Sequence, residues 1–133
     1  MSKAKFKLVT NFGEMWAKNP ENIKSLSAKD QGVYVLYDGS MPMYVGMGYI
    51  RRRIKNAANS LRRGEMWDHF SWYVLTEPGM MRDIEALLLR ALPPTLRSLT
   101  GQKGKFKGVK KTRQLNEVAL PIKRKSQTQK QDG

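Results

Sequence analysis

Residues 32–46, GVYVLYDGSMPMYVG, decide the fold of this chain. The run 33–37 is β-branched, aromatic or apolar, and the turn-forming residues 38–40 follow it. A second short run, 43–45, ends at Gly46. Two such runs joined by turn residues predict a β-hairpin.

The length of the hairpin loop decides where its tyrosines lie, because side chains alternate between the two faces of a strand. A three-residue loop over 38–40 would place Tyr34 opposite Tyr44 on one face. A four-residue loop would place them on opposite faces. The sequence leaves both registers open.

A helix is predicted from Tyr49 to Arg63, since apolar residues recur there at helical spacing. Arg51 and Arg53 flank its apolar stripe, and Arg52 points away from it. Periodicity alone makes Arg51 and Arg53 equal candidates for any role on this helix.

A third strand is predicted over 69–75, and a second helix from Pro78 to the pair Pro93-Pro94. Glu85 falls inside the apolar stripe expected for that helix. A carboxylate on the buried face of a helix needs an arginine, a metal ion or hydrogen-bond donors as its partner.

These elements predict an α/β (α+β) fold, a small antiparallel three-stranded sheet flanked by helices. Residues 1–30 are expected to form an N-terminal arm that packs on the core, with a short strand at Phe6–Val9 and a small helix near Trp16. Residues 31–100 would form the core. Residues 101–133 would be a basic C-terminal extension with a disordered end.

The charge of the chain points to a polyanionic partner. The 133 residues carry 25 Lys and Arg against 11 Asp and Glu, a net charge of +14. Residues 96–133 hold 11 basic and 2 acidic side chains, which is +9 of that total. Nucleic acid is the usual partner of so basic a domain.

Composition also excludes several classes of protein. The absence of cysteine excludes disulfides, zinc fingers and thiol catalysis, and a single histidine excludes multi-histidine metal sites. No apolar run approaches the roughly 20 residues that span a bilayer, and the N-terminus lacks the features of a secretory signal. A cytoplasmic protein with no membrane partner is expected.

A tyrosine-bearing hairpin, an arginine-rich helix and an apolar helix with one glutamate follow one another in this chain. In that order it resembles the GIY-YIG nuclease family. The half-motifs read Gly32-Val33-Tyr34 and Tyr44-Val45-Gly46, followed by YIRRRI, FSWYVL and IEALLLRALPP. The resemblance extends from about Gln31 to Leu99 and implies metal-dependent hydrolysis of nucleic-acid phosphodiesters at a single site.

The resemblance also implies a role for each matching residue. Tyr34 would be the general base or a relay to it, and Tyr44 would hydrogen-bond the phosphate or the attacking water. Arg53 would offset charge on the phosphate, which a guanidinium can bind through two oxygens. Glu85 would hold one Mg²⁺ or Mn²⁺ ion. Gly46 would let the backbone approach the substrate.

Three positions depart from the family pattern. Met47 stands where a lysine is common, Ala57 where a tyrosine or histidine is common, and Arg97 where an asparagine is usual. The first two departures remove groups that could assist proton transfer at Tyr34. His69 is a candidate to replace them if the third strand points it toward Tyr34.

The stretch KGKFKGVKKTR, residues 103–113, alternates cations with glycine and two apolar side chains. Such a segment can follow a phosphate backbone and stack an aromatic ring on a base, although a flexible solvated tail has the same composition. The predicted nucleic-acid contacts are Gly46, Arg51, Arg52, Arg97, Lys103, Lys105, Phe106, Lys107, Lys110, Lys111 and Arg113.

The predicted function is a metal-dependent endonuclease that hydrolyses double-stranded DNA at one Tyr–Arg–Glu site with one Mg²⁺ or Mn²⁺. Specificity would come from the tail, the N-terminal arm, a homodimer or a partner protein. One alternative is a catalytically weakened or inactive nucleic-acid-binding protein of the same fold. Another is a basic RNA- or ribosome-associated protein, for which the tyrosine motif would be coincidence.

Overall fold

A computed structural model describes residues 6–60 and 64–115. The strands of its sheet are β1 (Val9–Ala17), β2 (Gln31–Asp38), β3 (Met41–Tyr49) and β4 (His69–Leu75). They lie in the order β1-β4-β2-β3, and all neighbours are antiparallel. The helices are α1 (Pro20–Lys24), α2 (Ile50–Asn59), α3 (Met81–Ala91) and α4 (Thr95–Thr100), with a 3₁₀ turn at Pro78–Met80.

The predicted hairpin is confirmed, and its turn settles the register of the tyrosines. Asp38 pairs with Met41, so the loop is the two-residue turn Gly39-Ser40, and Gly39 adopts a φ of 63° that favours glycine. A bulge after Leu36 then shifts the pairing by one residue, which leaves Tyr34 opposite Gly46 and Leu36 opposite Tyr44. Tyr34 and Tyr44 therefore share a face, as diagonal rather than directly opposed neighbours.

The prediction of three strands is wrong by one. The additional strand, β1, begins where the short strand expected over Phe6–Val9 was to end. It pairs with β4 and includes Trp16, which was expected in a helix. Two irregularities in its register, between Val9 and Asn11 and between Gly13 and Trp16, break the alternation that marks a strand in sequence. The small helix follows as α1, where the Asn19 side chain accepts a hydrogen bond from the first turn.

Helices cover both faces of the sheet. The face that carries Tyr34, here called the Tyr34 face, packs against α1 and α2 around Leu36, Phe70 and Trp72. The opposite face, here called the Val35 face, packs against Leu89 of α3 and Leu96 of α4. β3 is an edge strand, and α2, α3 and α4 all contact it.

The buried stripe of α3 differs from the one expected. Ala86 and Leu89 are its buried residues, and Ala91 at the end of the helix is exposed. Glu85 lies beside this line and is half-buried. The helix begins at Met81 rather than near Pro78, because a 3₁₀ turn precedes it.

The C-terminal segment begins as an ordered part of the structure. Gly104 is buried against α3, where an added Cβ would lie 3.0 Å from the Leu89 Cβ. The Arg90 side chain donates a hydrogen bond of 2.7 Å to the Gly104 carbonyl and lies 5.6 Å from the Phe106 ring. The Gln102 side-chain amide bonds both the N–H and the carbonyl of Val45 at the edge of β3.

The end of the chain that was expected to be disordered lies beyond residue 115, outside the described residues. Within 6–60 and 64–115, no helix is long and apolar enough to span a bilayer.

Candidate active site

Tyr34 lies over the backbone of Gly46. The two residues are opposed across β2 and β3, and the Tyr34 side chain is only 4% exposed. A Cβ at position 46 would overlap the Tyr34 hydroxyl and the ring carbon that bears it. Position 46 must therefore be glycine to leave room for the Tyr34 ring. This ring fills the space in which the substrate was expected to approach the Gly46 backbone.

Gly46→Ala is expected to lower the free energy of unfolding by about 1–3 kcal/mol, the usual cost of overpacking a core, and to displace the Tyr34 ring. Gly79→Ala is the matched control, because a Cβ there meets no atom within 4 Å. Urea unfolding of both variants measures the difference. Equal stability of the two variants would show that the Tyr34 ring does not need the space above Gly46.

Tyr44 places a second phenol on the same face. Its ring centroid lies 6.4 Å from that of Tyr34, with the planes tilted by 34°. Tyr44 is partly buried and packs at the margin of the Tyr34-face core. The two tyrosines of the half-motifs are therefore neighbours in space as well as in the order of the sequence.

Arg53 reaches the same face from α2. Gly48 has a φ of 127°, and a Cβ there would lie 2.9 Å from the Arg53 Nε. Gly46 and Gly48 are alternate residues of β3, so Tyr34 and Arg53 cover neighbouring glycines on one face. Gly48 was not predicted as part of the site, although it lies two residues from Gly46 in the sequence.

The three arginines of α2, which helical periodicity alone does not distinguish, differ in their contacts. Arg51 directs a guanidinium N–H to the Leu26 carbonyl at 3.4 Å, and Arg52 lies 5.2 Å from the Tyr49 ring. Arg53 is the one that lies against β3.

The start of α2 is strongly electropositive. Its first turn carries three arginines and no acidic residue, and its N-cap side chain makes no capping hydrogen bond. Each cation near a helix N-terminus is unfavourable by about 0.3–1 kcal/mol. A bound anion would offset that cost, and phosphate is an anion that both helix N-termini and guanidinium groups bind.

Glu85 occupies the other helical layer. It lies on α3, which packs on the Val35 face, so the sheet separates the layer of Glu85 from that of Tyr34, Tyr44 and Arg53. Burial raises the pKa of Glu85, and the nearby Arg82 guanidinium partly opposes that shift. The structure thus gathers three of the four predicted catalytic residues on one face and leaves the fourth beyond the sheet.

Glu85 alone would supply the protein ligand for a metal ion. Within the described ranges, no group of three His, Asp or Glu side chains could hold one. A half-buried carboxylate that is poorly solvated gains from a cation, and Mg²⁺ commonly uses one or two carboxylates and takes its other ligands from water and phosphate. The donor set fits a single hydrated Mg²⁺ or Mn²⁺ and does not fit an ion caged by protein.

His69 is not brought to Tyr34. It pairs with Tyr37 at the start of β4, and this register puts its side chain on the Val35 face. Its Nδ1 lies 2.9 Å from the Asp68 carboxylate, a hydrogen bond that lowers the pKa of Asp68. The proposal that His69 replaces a missing acid–base group is therefore wrong for this geometry.

The three departures from the family pattern fall in different places. Met47 pairs with Val33 on the Val35 face, so its side chain leads away from Tyr34. Ala57 is 5% exposed in the Tyr34-face core, where its methyl group offers no acid–base chemistry. Arg97 is half-buried near the end of α4, on the Val35-face side of the sheet.

The predicted basic segment forms a groove against α3. A cavity of about 570 Å³ is lined by Arg90, Lys105, Phe106, Val109, Lys110 and Lys111. Lys103, Lys107 and Arg113 are exposed beside it. Arg90, which fixes this segment, was missed because nothing in the sequence distinguishes it from other surface arginines.

No family model, curated protein or solved structure matches this chain.

Proposed function

We propose that this protein is an endonuclease of the GIY-YIG type that hydrolyses phosphodiester bonds of DNA. The observation that carries the proposal is the grouping of Tyr34, Tyr44 and Arg53 on one face, over the glycines of β3. Two phenols beside a guanidinium offer proton transfer and phosphate binding at one place.

The proposed chemistry divides between these side chains. Arg53, which is exposed, binds the scissile phosphate and offsets the charge that grows on it as water attacks phosphorus. Tyr34 accepts or relays the proton of that water while the bond to the leaving oxygen breaks. Tyr44, at the margin of the core, orients the phosphate or the water.

Glu85 would hold the metal ion, which when bound stabilises negative charge on the phosphate and on the leaving oxygen. Because Glu85 and Tyr34 belong to opposite layers, a phosphate shared by both would have to lie at the β3 edge. That edge is where α2 and α3 both contact the sheet.

The basic groove beside Phe106 is proposed to bind the DNA backbone. Replacing Lys110 and Lys111 together by glutamine should reduce the slope of log affinity against log salt by up to about 0.9 per lost phosphate contact. Titration of a labelled duplex over a range of salt concentrations measures this slope. An unchanged slope would remove the two lysines from the interface. Substitution is a cleaner test than deletion of the segment, because Gly104 packs on α3.

A second candidate function is a nucleic-acid-binding protein of the same fold without turnover. Two observations favour it, namely the 4% exposure of Tyr34 and the position of Glu85 in the other layer. A plasmid-nicking assay with Mg²⁺, with EDTA and with the Glu85→Ala variant separates the two functions. Nicking that requires both Mg²⁺ and Glu85 supports the nuclease, and DNA binding without nicking supports the binding protein.

A further inference from the structure

A second basic surface lies on the side of α2 away from Arg53. A cavity of about 660 Å³ opens between α1 and α2, and cations dominate its polar lining. These are Lys18, Lys24, Arg51 and Lys55. The described residues that line the cavity include no carboxylate.

The remaining walls of this cavity combine apolar and amide groups. Pro20, Ile23 and Ala58 give it an apolar lining, and Asn19 and Asn59 contribute side-chain amides. Its volume falls within the range of about 300–1,000 Å³ that small-molecule sites occupy. Cations, amides and an apolar wall together match the phosphate, base edge and base face of a nucleotide.

An adjoining cavity extends this surface toward the candidate active site. It measures about 680 Å³, shares Arg51 and Lys55 with the first, and adds Arg52 and the exposed Tyr49. Successive helical residues are rotated by about 100°, so the three arginines form a basic path around α2 from Arg53 to the first cavity.

Among the described residues, no carboxylate neutralises the cations of this surface. No ion pair joins Lys24, Arg51 or Lys55 to a carboxylate among the described residues. Lys18 is held by the Gly64 carbonyl and lies 4.8 Å from the Trp67 ring, contacts that leave its charge uncompensated. A site of this kind attracts an anion.

We infer that the α1–α2 groove, the two adjoining cavities described above, binds a nucleotide of an unpaired nucleic-acid strand. Lys24, Arg51 and Lys55 would contact its phosphates, and Ile23 and Ala58 would contact its base. A base inside a duplex cannot enter such a cavity, because both of its faces are stacked on neighbouring bases. The inference rests on the nucleic-acid part of the proposed function and does not require hydrolysis.

Lys55→Glu tests the groove, because Lys55 lines both cavities. Lys7→Glu is the matched control, since Lys7 is also exposed and lines neither cavity. Binding of a fluorescent single-stranded oligonucleotide is measured in EDTA. We expect Lys55→Glu to weaken binding far more than Lys7→Glu and to reduce the salt slope by about 0.7 or more, the value per contact for single strands.

Four comparisons make the test decisive. Equal effects of the two variants would overturn the inference. If Lys55→Glu weakens duplex binding and single-strand binding equally, the groove does not select an unpaired strand. An abasic oligonucleotide keeps the phosphates and loses the bases, so the wild-type protein should bind it more weakly. Undiminished abasic binding, or equal competition by polyglutamate, would show a general polyanion surface instead.

The failure of this inference is distinguishable from failure of the proposed nuclease. Every binding measurement is made without a metal ion, whereas hydrolysis is assayed separately on a duplex with Mg²⁺. If the wild-type protein nicks DNA but Lys55→Glu and Lys7→Glu bind the oligonucleotide equally, the nuclease proposal stands and the groove inference fails. If the variants show the expected binding differences and the wild-type protein does not nick DNA, the groove inference stands and the nuclease proposal fails.

Discussion

Tyr34→Phe is expected to lower the single-turnover rate of DNA cleavage by about 10²- to 10⁴-fold, the usual contribution of a general acid–base group. The substitution removes one oxygen and leaves the ring that packs on Gly46. DNA affinity should change little, because the many cations of a +14 chain dominate phosphate binding. The measurement is cleavage of one fixed duplex from about pH 6 to pH 10, a range that reaches the ordinary tyrosine pKa.

Tyr37→Phe is the matched control for this experiment. Tyr37 lies on the same strand but packs on the Val35 face, and it is partly buried. Its variant loses the same atom on the opposite face of the sheet and should cleave at the wild-type rate. If Tyr34→Phe also cleaves at nearly that rate, the tyrosine-base mechanism is wrong and a metal-bound hydroxide becomes the better candidate.

Glu85→Gln is expected to abolish cleavage while leaving DNA affinity within a few-fold of wild type. The amide preserves the size of the side chain and removes the charge that would hold the cation. Burial already raises the pKa of Glu85, so loss of this half-buried charge should not destabilise the fold. Cleavage and binding are assayed on one preparation, with thermal unfolding as the check on folding.

Asp83→Asn is the control for Glu85→Gln. Asp83 lies in the first turn of the same helix and is exposed. Its variant makes the same change of charge two residues away. Cleavage by Glu85→Gln at the rate of Asp83→Asn would exclude Glu85 from the metal site of the proposed nuclease.

The elements that were predicted correctly are those whose own consecutive residues show a strand or turn pattern. β4 was predicted at its observed bounds because 69–75 is a continuous run of strand-forming residues, and the hairpin because turn residues separate two such runs. The N-terminal strand was predicted at Phe6–Val9 and not at Val9–Ala17, because the bulges of β1 remove the alternation and because its pairing with β4 is a long-range contact.

The residues of the candidate site could be proposed from the sequence, but their positions relative to one another could not. Tyr34 and Tyr44 lie on the same face because of a bulge after Leu36, and no pattern in the sequence predicts that bulge. The position of His69 depended on β4 pairing with β2, which local sequence cannot specify. Glu85 was placed in a buried stripe by periodicity, yet the helix is rotated so that Ala86 and Leu89 are buried instead.

The two hydrogen bonds from Gln102 to Val45 have a consequence for self-association. The exposed edge of a sheet is a template on which another chain can add a strand, the first step of many aggregates. The Gln102 amide occupies the Val45 donor and acceptor at the middle of β3, much as a neighbouring strand would. Strand addition along this edge would first have to release the side chain. Gln102 therefore shields the backbone groups of Val45 from pairing with a strand of a second chain.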